Sequence, residues 1–321
     1  MLRASVGSFV LFAALGTACA QPVTDPSLDT DPAFAGSTGA CDAAGNAIVV
    51  VADHGDIYRF SPATRSFTLL SHAQCPTGAS DFVGTAAVDR SGVAWLQYSE
   101  PALSAIKHPL YPVNIADGTC GKPVDLEAAG FRGWQLTAGT MPGVFFGVAI
   151  VATPGQPGED LKVDASLLTL DTHALKTTSV PLGPLQPFRA PFDAAIAQTS
   201  DGMLVGFFNA LNQLANVKPY FVGIEPASGH MTQTPGSFPH IDTRSLSTDS
   251  PDPPSALVVW GGERWLFTGD PATRQVGRTA SGSMLTRHSA DGQTTDPVKR
   301  EMDFLVMGAG VVACEGGPPL R

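Results

Sequence analysis

The sequence predicts an all-β chain, most simply a β-propeller of five four-stranded blades closed by pairing of the C-terminal strand with the N-terminal strands. Three observations predict it. One hairpin unit recurs five times, a second hairpin alternates with it, and the composition suits short strands joined by turns, with 34 Gly, 27 Pro and only 15% charged residues.

The first repeat is a β-rich run, a polar or Gly-containing turn and a second β-rich run. Its copies begin at Ile57 (IYRFSPATRSFTLL), Leu110 (LYPVNIADGTCGKPVDL), Leu167 (LLTLDTHALKTTSV), Tyr220 (YFVGIEPASGHMTQT) and Met284 (MLTRHSADGQTTDPV). Spacings of about 50 to 65 residues are those of propeller blades carrying insertions. The second hairpin sits between these copies, at Ala86 (AAVDRSGVAWLQY), Ala195 (AIAQTSDGMLVGFF) and Ala256 (ALVVWGGERWLFTG). Ser91-Gly92, Asp201-Gly202 and Gly261-Gly262 occupy its turns, as hairpins require. Gln135 to Val151 is a looser copy interrupted by Met141-Pro142-Gly143. Phe207–Val217 (FFNALNQLANV) is the one stretch with a helical reading, set against an insertion loop between strands.

Alternating the two hairpins gives four complete units between about Ala86 and Lys299. The fifth is split: Ala47–Ala52, Asp56–Phe60 and Phe67–Leu70 supply three strands, and Phe304–Cys314 must supply the innermost one. This closure hides the open edges of a sheet array. A two-sheet sandwich array is the alternative architecture.

Five cysteines occur, and Cys19 lies in the leader. The remaining Cys41, Cys75, Cys120 and Cys314 read as two disulfides. Cys41–Cys314 would pin the ends of the ring together, worth about 4–5 kcal/mol in the chain-entropy model. Cys75–Cys120 follows by elimination, although simple strand tracing puts these two at opposite ends of adjacent blades.

Residues 1–20 have the layout of a secretory signal: Arg3, an apolar stretch from Val6 to Leu15, then Gly16-Thr17-Ala18-Cys19-Ala20. Two processing routes fit: cleavage before Gln21, or a lipobox in which Cys19 becomes the lipidated N-terminus, the reading favoured here. Two acyl chains on Cys19 would anchor the protein stably. Residues 21–40 (QPVTDPSLDTDPAFAGSTGA) lack hydrophobic periodicity and read as a flexible tether, leaving 41–321 as one propeller domain. The net charge of −10 argues against nucleic-acid partners.

The candidate chemistry is sparse. Gly308-Ala309-Gly310-Val311-Val312-Ala313 matches a dinucleotide fingerprint but lacks the following helix, and reads better as a Gly-rich inner strand. The histidines, His54, His72, His108, His173, His230, His240 and His288, read as solvated turn or strand-end residues rather than metal ligands. Asp53, Asp89, Asp171 and Asp201 recur near strand ends, where bonding to turn N–H groups explains them better than calcium binding or acid–base work. Trp95, Trp134, Trp260 and Trp265 read as packing between blades. No catalytic, cofactor-binding or metal-binding residue is assigned.

On AVDRSGVAWLQY from Ala87, Gly206–Phe208, WGGERWLFTG from Trp260, FLVMGAGVVAC ending at Cys314 and the cysteine placement, the chain resembles a group of uncharacterised bacterial cell-envelope lipoproteins with β-propeller-like repeats. These motifs are structural, and the resemblance implies no activity. Gly16 stands where the lipobox usually has Leu. The expected function is a monomeric, non-enzymatic binding or scaffold propeller, exported to the envelope or secreted. Its partner would be a protein or small-molecule ligand, with the membrane reached through an acylated Cys19. The alternative is a propeller hydrolase or lyase using polar groups at the central channel. Carboxylates, Asn or His converging at the channel mouth would distinguish the two.

Overall fold

The structure, a computed structural model, describes residues 46–77, 82–99, 109–153, 162–183, 191–210, 220–234, 255–269, 282–292, 294–296 and 302–313. All regular structure among them is β, and none of them forms a helix long and apolar enough to cross a membrane. Strands β1 (Asn46–Ala52), β2 (Asp56–Ser61) and β3 (Ser66–His72) form a meander in order β3-β2-β1. β19 (Val306–Ala313) lies against the other side of β1 as an antiparallel partner, from Asn46↔Ala313 to Ala52↔Val306. The tail thus completes a four-stranded unit begun about 250 residues earlier, as the split-unit reading expects. Cys41 and Cys314, the proposed latch, lie outside the described residues, as do Cys19 and the tether.

Four further units follow the alternation of hairpins. β4 (Phe82–Val88), β5 (Val93–Ser99) and β6 (Leu110–Asn114) form the second, extended by isolated bridges Leu110↔Val124 and Val113↔Cys120. The third is β7 (Trp134–Ala138), β8 (Val144–Thr153), β9 (Lys162–Asp171) and β10 (Lys176–Pro181). The fourth is β11 (Pro191–Gln198), β12 (Leu204–Ala210), β13 (Tyr220–Ile224) and β14 (Met231–Thr234). The fifth is β15 (Ser255–Trp260), β16 (Glu263–Gly269), β17 (Ser283–His288) and β18 (Thr295–Asp296). One parallel bridge, Gly310↔Val88, joins the first two units into a curled seven-stranded sheet.

The apolar residues fall into five cores, each shared between two units. β1 shows why. Its run Ala47-Ile48-Val49-Val50-Val51-Ala52 is buried throughout, because successive side chains point to opposite faces and both faces are covered. Ala47, Val49 and Val51 pack with Val83, Ala86, Val88 and Leu96 of the second unit. Ile48 and Val50 pack with Val258, Trp260, Trp265 and Phe267 of the fifth. The other cores join units two and three (Ala87, Leu110, Phe145, Leu170), three and four (Val148, Leu167, Ile196, Phe208), and four and five (Phe207, Phe221, Leu257, Leu266). The inner strands follow the same order: β19 touches β4 and β15, β4 touches β7, β7 touches β11, and β11 touches β15.

Two expectations are corrected. Phe207–Ala210 is the end of β12, not helix, and 211–217 lie outside the described residues. Phe207 and Phe208 face different cores, so the doubly covered strand carries an unbroken apolar run with no alternation to betray it. The Cys75–Cys120 bond is present, with Cα atoms 5.1 Å apart, so strand tracing misplaced the two ends. Right-handed twist of about 20–25° per strand swings the end of β3 sideways onto the turn after β6. There Gln74 N donates to Gly118 O (2.9 Å) and Ser71 Oγ to Ile115 O (2.8 Å). A Cβ on Gly118 would lie 1.9 Å from His72 O, so only glycine admits this contact.

The Gly308-Ala309-Gly310 run is an inner strand, as its surroundings in the sequence suggest. Cβ atoms at Gly308 and Gly310 would lie 2.0 Å from Ala86 O and 2.1 Å from Val88 O. Gly310→Ala should therefore lower stability by about 3 kcal/mol or more, through forced separation of two backbones. Gly262→Ala has open space around it and only a φ of +81° to strain, so about 1 kcal/mol is expected. Urea denaturation midpoints of the two variants check the contrast.

Candidate functional site

The line around which the inner strands gather is filled. Thr85, Ala86, Gln135, Leu136, Ala195, Ile196, Ser255, Ala256, Leu257, Met307, Gly308 and Ala309 leave a void of ≈ 10 Å³, about enough for a single water. Small side chains and glycine let five strands converge. The polar groups are drawn into the packing: Thr85 Oγ1 accepts from Leu136 N (3.2 Å). Among the described residues no carboxylate or histidine lines this space.

At the C-terminal ends of the inner strands the space widens to a cavity of ≈ 230 Å³. Every unit contributes to it. Asn46, Val311 and Gly310 come from the first, Val88 and Arg90 from the second, Thr137 and Thr140 from the third, Gln198 and Ser200 from the fourth, and Leu257 to Gly262 from the fifth. Turns after the inner strands place these groups. Asp89 shapes its turn by accepting from Ser91 N (2.9 Å), Ser91 Oγ (2.6 Å), Val93 N (3.1 Å) and Trp95 Nε1 (3.0 Å), which leaves Arg90 at the rim. Gln198 donates to Gly202 O (2.9 Å) and accepts from Thr140 N, tying the third and fourth units together. Among the described residues Arg90 is the one charged side chain in the lining. Sequence reasoning missed it. The signal was available, since Arg90 is the only cation in the turns that follow the inner strands of units two to five.

Beyond the opposite end of β1, five titratable side chains that the sequence left separate come together. His54 donates from Nδ1 to Asp53 Oδ1 (3.0 Å) and from Nε2 to Asp56 Oδ2 (2.7 Å), which requires the imidazolium. His72 Nδ1 donates to Asp56 Oδ1 (2.7 Å), and Tyr58 OH to Asp56 Oδ2 (3.0 Å). Burial alone would raise the Asp56 pKa, but hydrogen bonds from His72, Tyr58 and His54 outweigh it and hold the carboxyl below its ordinary value. Burial would lower the His54 pKa, but bonds to Asp53 and Asp56 reverse this and raise it. The Tyr58 hydroxyl is pushed up to about 12 by burial and by Asp56. Asp53 also joins three strands: its N donates to Leu305 O (2.9 Å), and its O accepts from Val83 N (2.8 Å). Asp56 is saturated by its own neighbours, and no group of three or more His, Cys, Asp or Glu among the described residues is set to hold a metal ion.

The remaining candidates are structural. Asp171 accepts from His173 N and Ala174 N, and Asp201 from Thr199 Oγ1 and Met203 N, which is the turn chemistry the sequence suggests. His288 is a correction: it is fully buried, not solvated, between Thr286 and Thr295 with its ring against Phe221. Burial, and then the charge of Arg264, bring its pKa down to about 4, so it is a neutral core residue. Trp95 packs on Phe145 across two units and Trp265 on Phe60 likewise, while Trp260 Nε1 donates to Asn46 O (2.9 Å). His108 and His240 lie outside the described residues, as does the side chain of Trp134.

No family model and no curated protein sequence matches the chain. Among solved structures it is similar to a thermostable family-43 glycoside hydrolase (12% identity over 73% of this chain and 74% of that one, TM-score 0.43). It is also similar to a GH43_1 enzyme from Xanthomonas citri (11% identity, 67% and 74%, TM-score 0.38). A variant of the Synechocystis apocarotenoid oxygenase shares 10% identity with a TM-score of 0.36; 79% of this chain is covered, spanning 57% of the oxygenase. Likeness this remote carries no activity across.

The cluster makes a pH prediction. The raised His54 pKa gives stability that is complete below the unfolded value near 6.5 and is lost as pH rises through the folded value. The lowered Asp56 pKa gives stability present above the unfolded value of 3.8 and lost as pH falls through the folded value. The Tm difference between wild type and His54→Gln should therefore be largest at about pH 4–6.5 and shrink toward about pH 9. A difference that does not vary with pH across that range would contradict this.

Proposed function

We propose that the chain is a non-catalytic binding protein of the cell envelope, a five-bladed propeller that takes a small-molecule ligand at the mouth of its plugged axis. The carrying observation is the ≈ 230 Å³ cavity to which all five units contribute, lined among the described residues by apolar and neutral polar groups and Arg90, with no carboxylate or histidine. The cyclic order of inner-strand contacts and the five shared cores support the ring. The composition of the mouth supports binding over hydrolysis, since acid–base chemistry needs a titratable group within reach of the ligand. The cavity suits a small molecule rather than a polymer. Export rests on the leader and, in the favoured route, on acylation of Cys19 followed by the tether at 21–40.

A second reading, hydrolase or lyase, would draw on His54, Asp53, Asp56, His72 and Tyr58 at the other end. Its support is the convergence of acid and base groups there.

A panel of small metabolites, screened by thermal shift and ligand-observed NMR, separates these readings. Hits lost on Ser200→Trp, which blocks the mouth at an exposed turn position, and kept on Leu69→Trp support the mouth. Turnover of a hit that disappears on Asp56→Asn would instead establish the second reading. Intact-mass measurement of protein from the producing cell tests export: a diacylglycerol adduct on Cys19 is expected, together with loss of four thiol hydrogens for Cys41–Cys314 and Cys75–Cys120. An unprocessed N-terminus would overturn the envelope assignment.

A further inference from the structure

Resting on the mouth as the binding site, we infer that its ligand is a small anion whose carboxylate or phosphate group is held by Arg90. Arg90 is half-buried at the cavity rim and has no hydrogen-bond or ion-pair partner among the described residues. A half-buried guanidinium without a counter-charge keeps its fork of five donors free for a ligand, and its planar geometry matches a carboxylate or phosphate in two parallel bonds.

The neighbouring acids do not supply the missing partner. Asp89, next in sequence, spends its oxygens on Ser91, Val93 and Trp95 Nε1. Asp201, in the neighbouring turn, is directed to Thr199 and Met203. Neither lines the cavity. In a chain of net charge −10, a cation facing a space that no acid among the described residues lines is a local exception, and it selects ligands of opposite sign. The apolar wall formed by Val88, Leu257, Val259 and Trp260 lowers the local dielectric and strengthens that selection. Hydroxyls of Thr137, Thr140 and Ser200 in the same lining can donate to a second polar group on the ligand. The acidic remainder of the protein repels anions at long range, so recognition is short-range and depends little on steering.

Isothermal titration with citrate, inorganic phosphate and glucose 6-phosphate, and with glucose as the neutral probe, tests this on the full processed chain. At least one anion should bind with millimolar or better affinity, and glucose should bind at least tenfold more weakly than glucose 6-phosphate. Arg90→Met, which keeps length and removes charge, should weaken the bound anion about tenfold or more. Arg90→Lys should recover part of it, with carboxylate and phosphate probes distinguishing the two anion sources. Matching Tm values for the three proteins show that the fold is intact. Anion binding unchanged in Arg90→Met, or no binding by any anion, would overturn the inference. If glucose binds wild type as well as glucose 6-phosphate does, and Ser200→Trp abolishes both, the mouth stands and the anion preference falls. If Ser200→Trp alters no probe that binds, the mouth reading itself falls.

Discussion

The carbonyls of Ala86 and Val88 stand where side chains would otherwise be on Gly308 and Gly310. That single contact, backbone against backbone, lets the C-terminal strand lie between β1 and β4. Without it, β1 would lose its antiparallel partner along its whole length, and the cores on both of its faces would open. Both cores next to the seam include tail residues: Leu305 and Met307 in one, Val306 and Ala309 in the other. Two glycines thus carry a constraint that large apolar residues elsewhere only exploit.

The same crowding decides where function can reside. Inner strands that converge this closely leave no room for a ligand along the axis, and sheets covered on both faces leave little polar surface within the strands. Polar groups are pushed to the turns at strand ends. At one end they form a self-satisfied cluster around Asp56, which binds one stretch of chain to another. At the other end the turns close on their own Asp and Gln side chains, and Arg90 is left over. The contrast between saturated and unsatisfied polar groups separates scaffold from candidate site.

Much of the architecture was legible because it is local. Hairpins advertise themselves through turn glycines such as Gly92, Gly202 and Gly262, and the isolated FLVMGAGVVA run had no partner nearby in sequence and so had to find a distant one. Phe207-Phe208 fit both the end of a hairpin strand and the start of a helical turn in the sequence, because burial on both faces erases the alternation that marks a strand. The Cys75–Cys120 geometry escaped because strand order carries no information about twist. The site was harder still. His54, His72 and Asp56 meet only after β2 and β3 pair in a particular register, and Arg90 was overshadowed by the turn signal of its neighbours, Asp89 and Gly92. His288 looked solvated because a polar residue at a strand end usually is; the bulk of the fourth unit, pressing Phe221 onto it, is invisible in the local sequence.

Amide hydrogen exchange followed residue by residue tests the central claim most directly. If the tail strand is an integral inner strand, amides of β19 that bond to β1 should exchange only through global unfolding, at the same free energy as those of β1 and β4. Exchange of β19 orders of magnitude faster than β4, under conditions where the other cores stay protected, would mean that the tail is a loosely attached edge and that the rest of the fold does not depend on it.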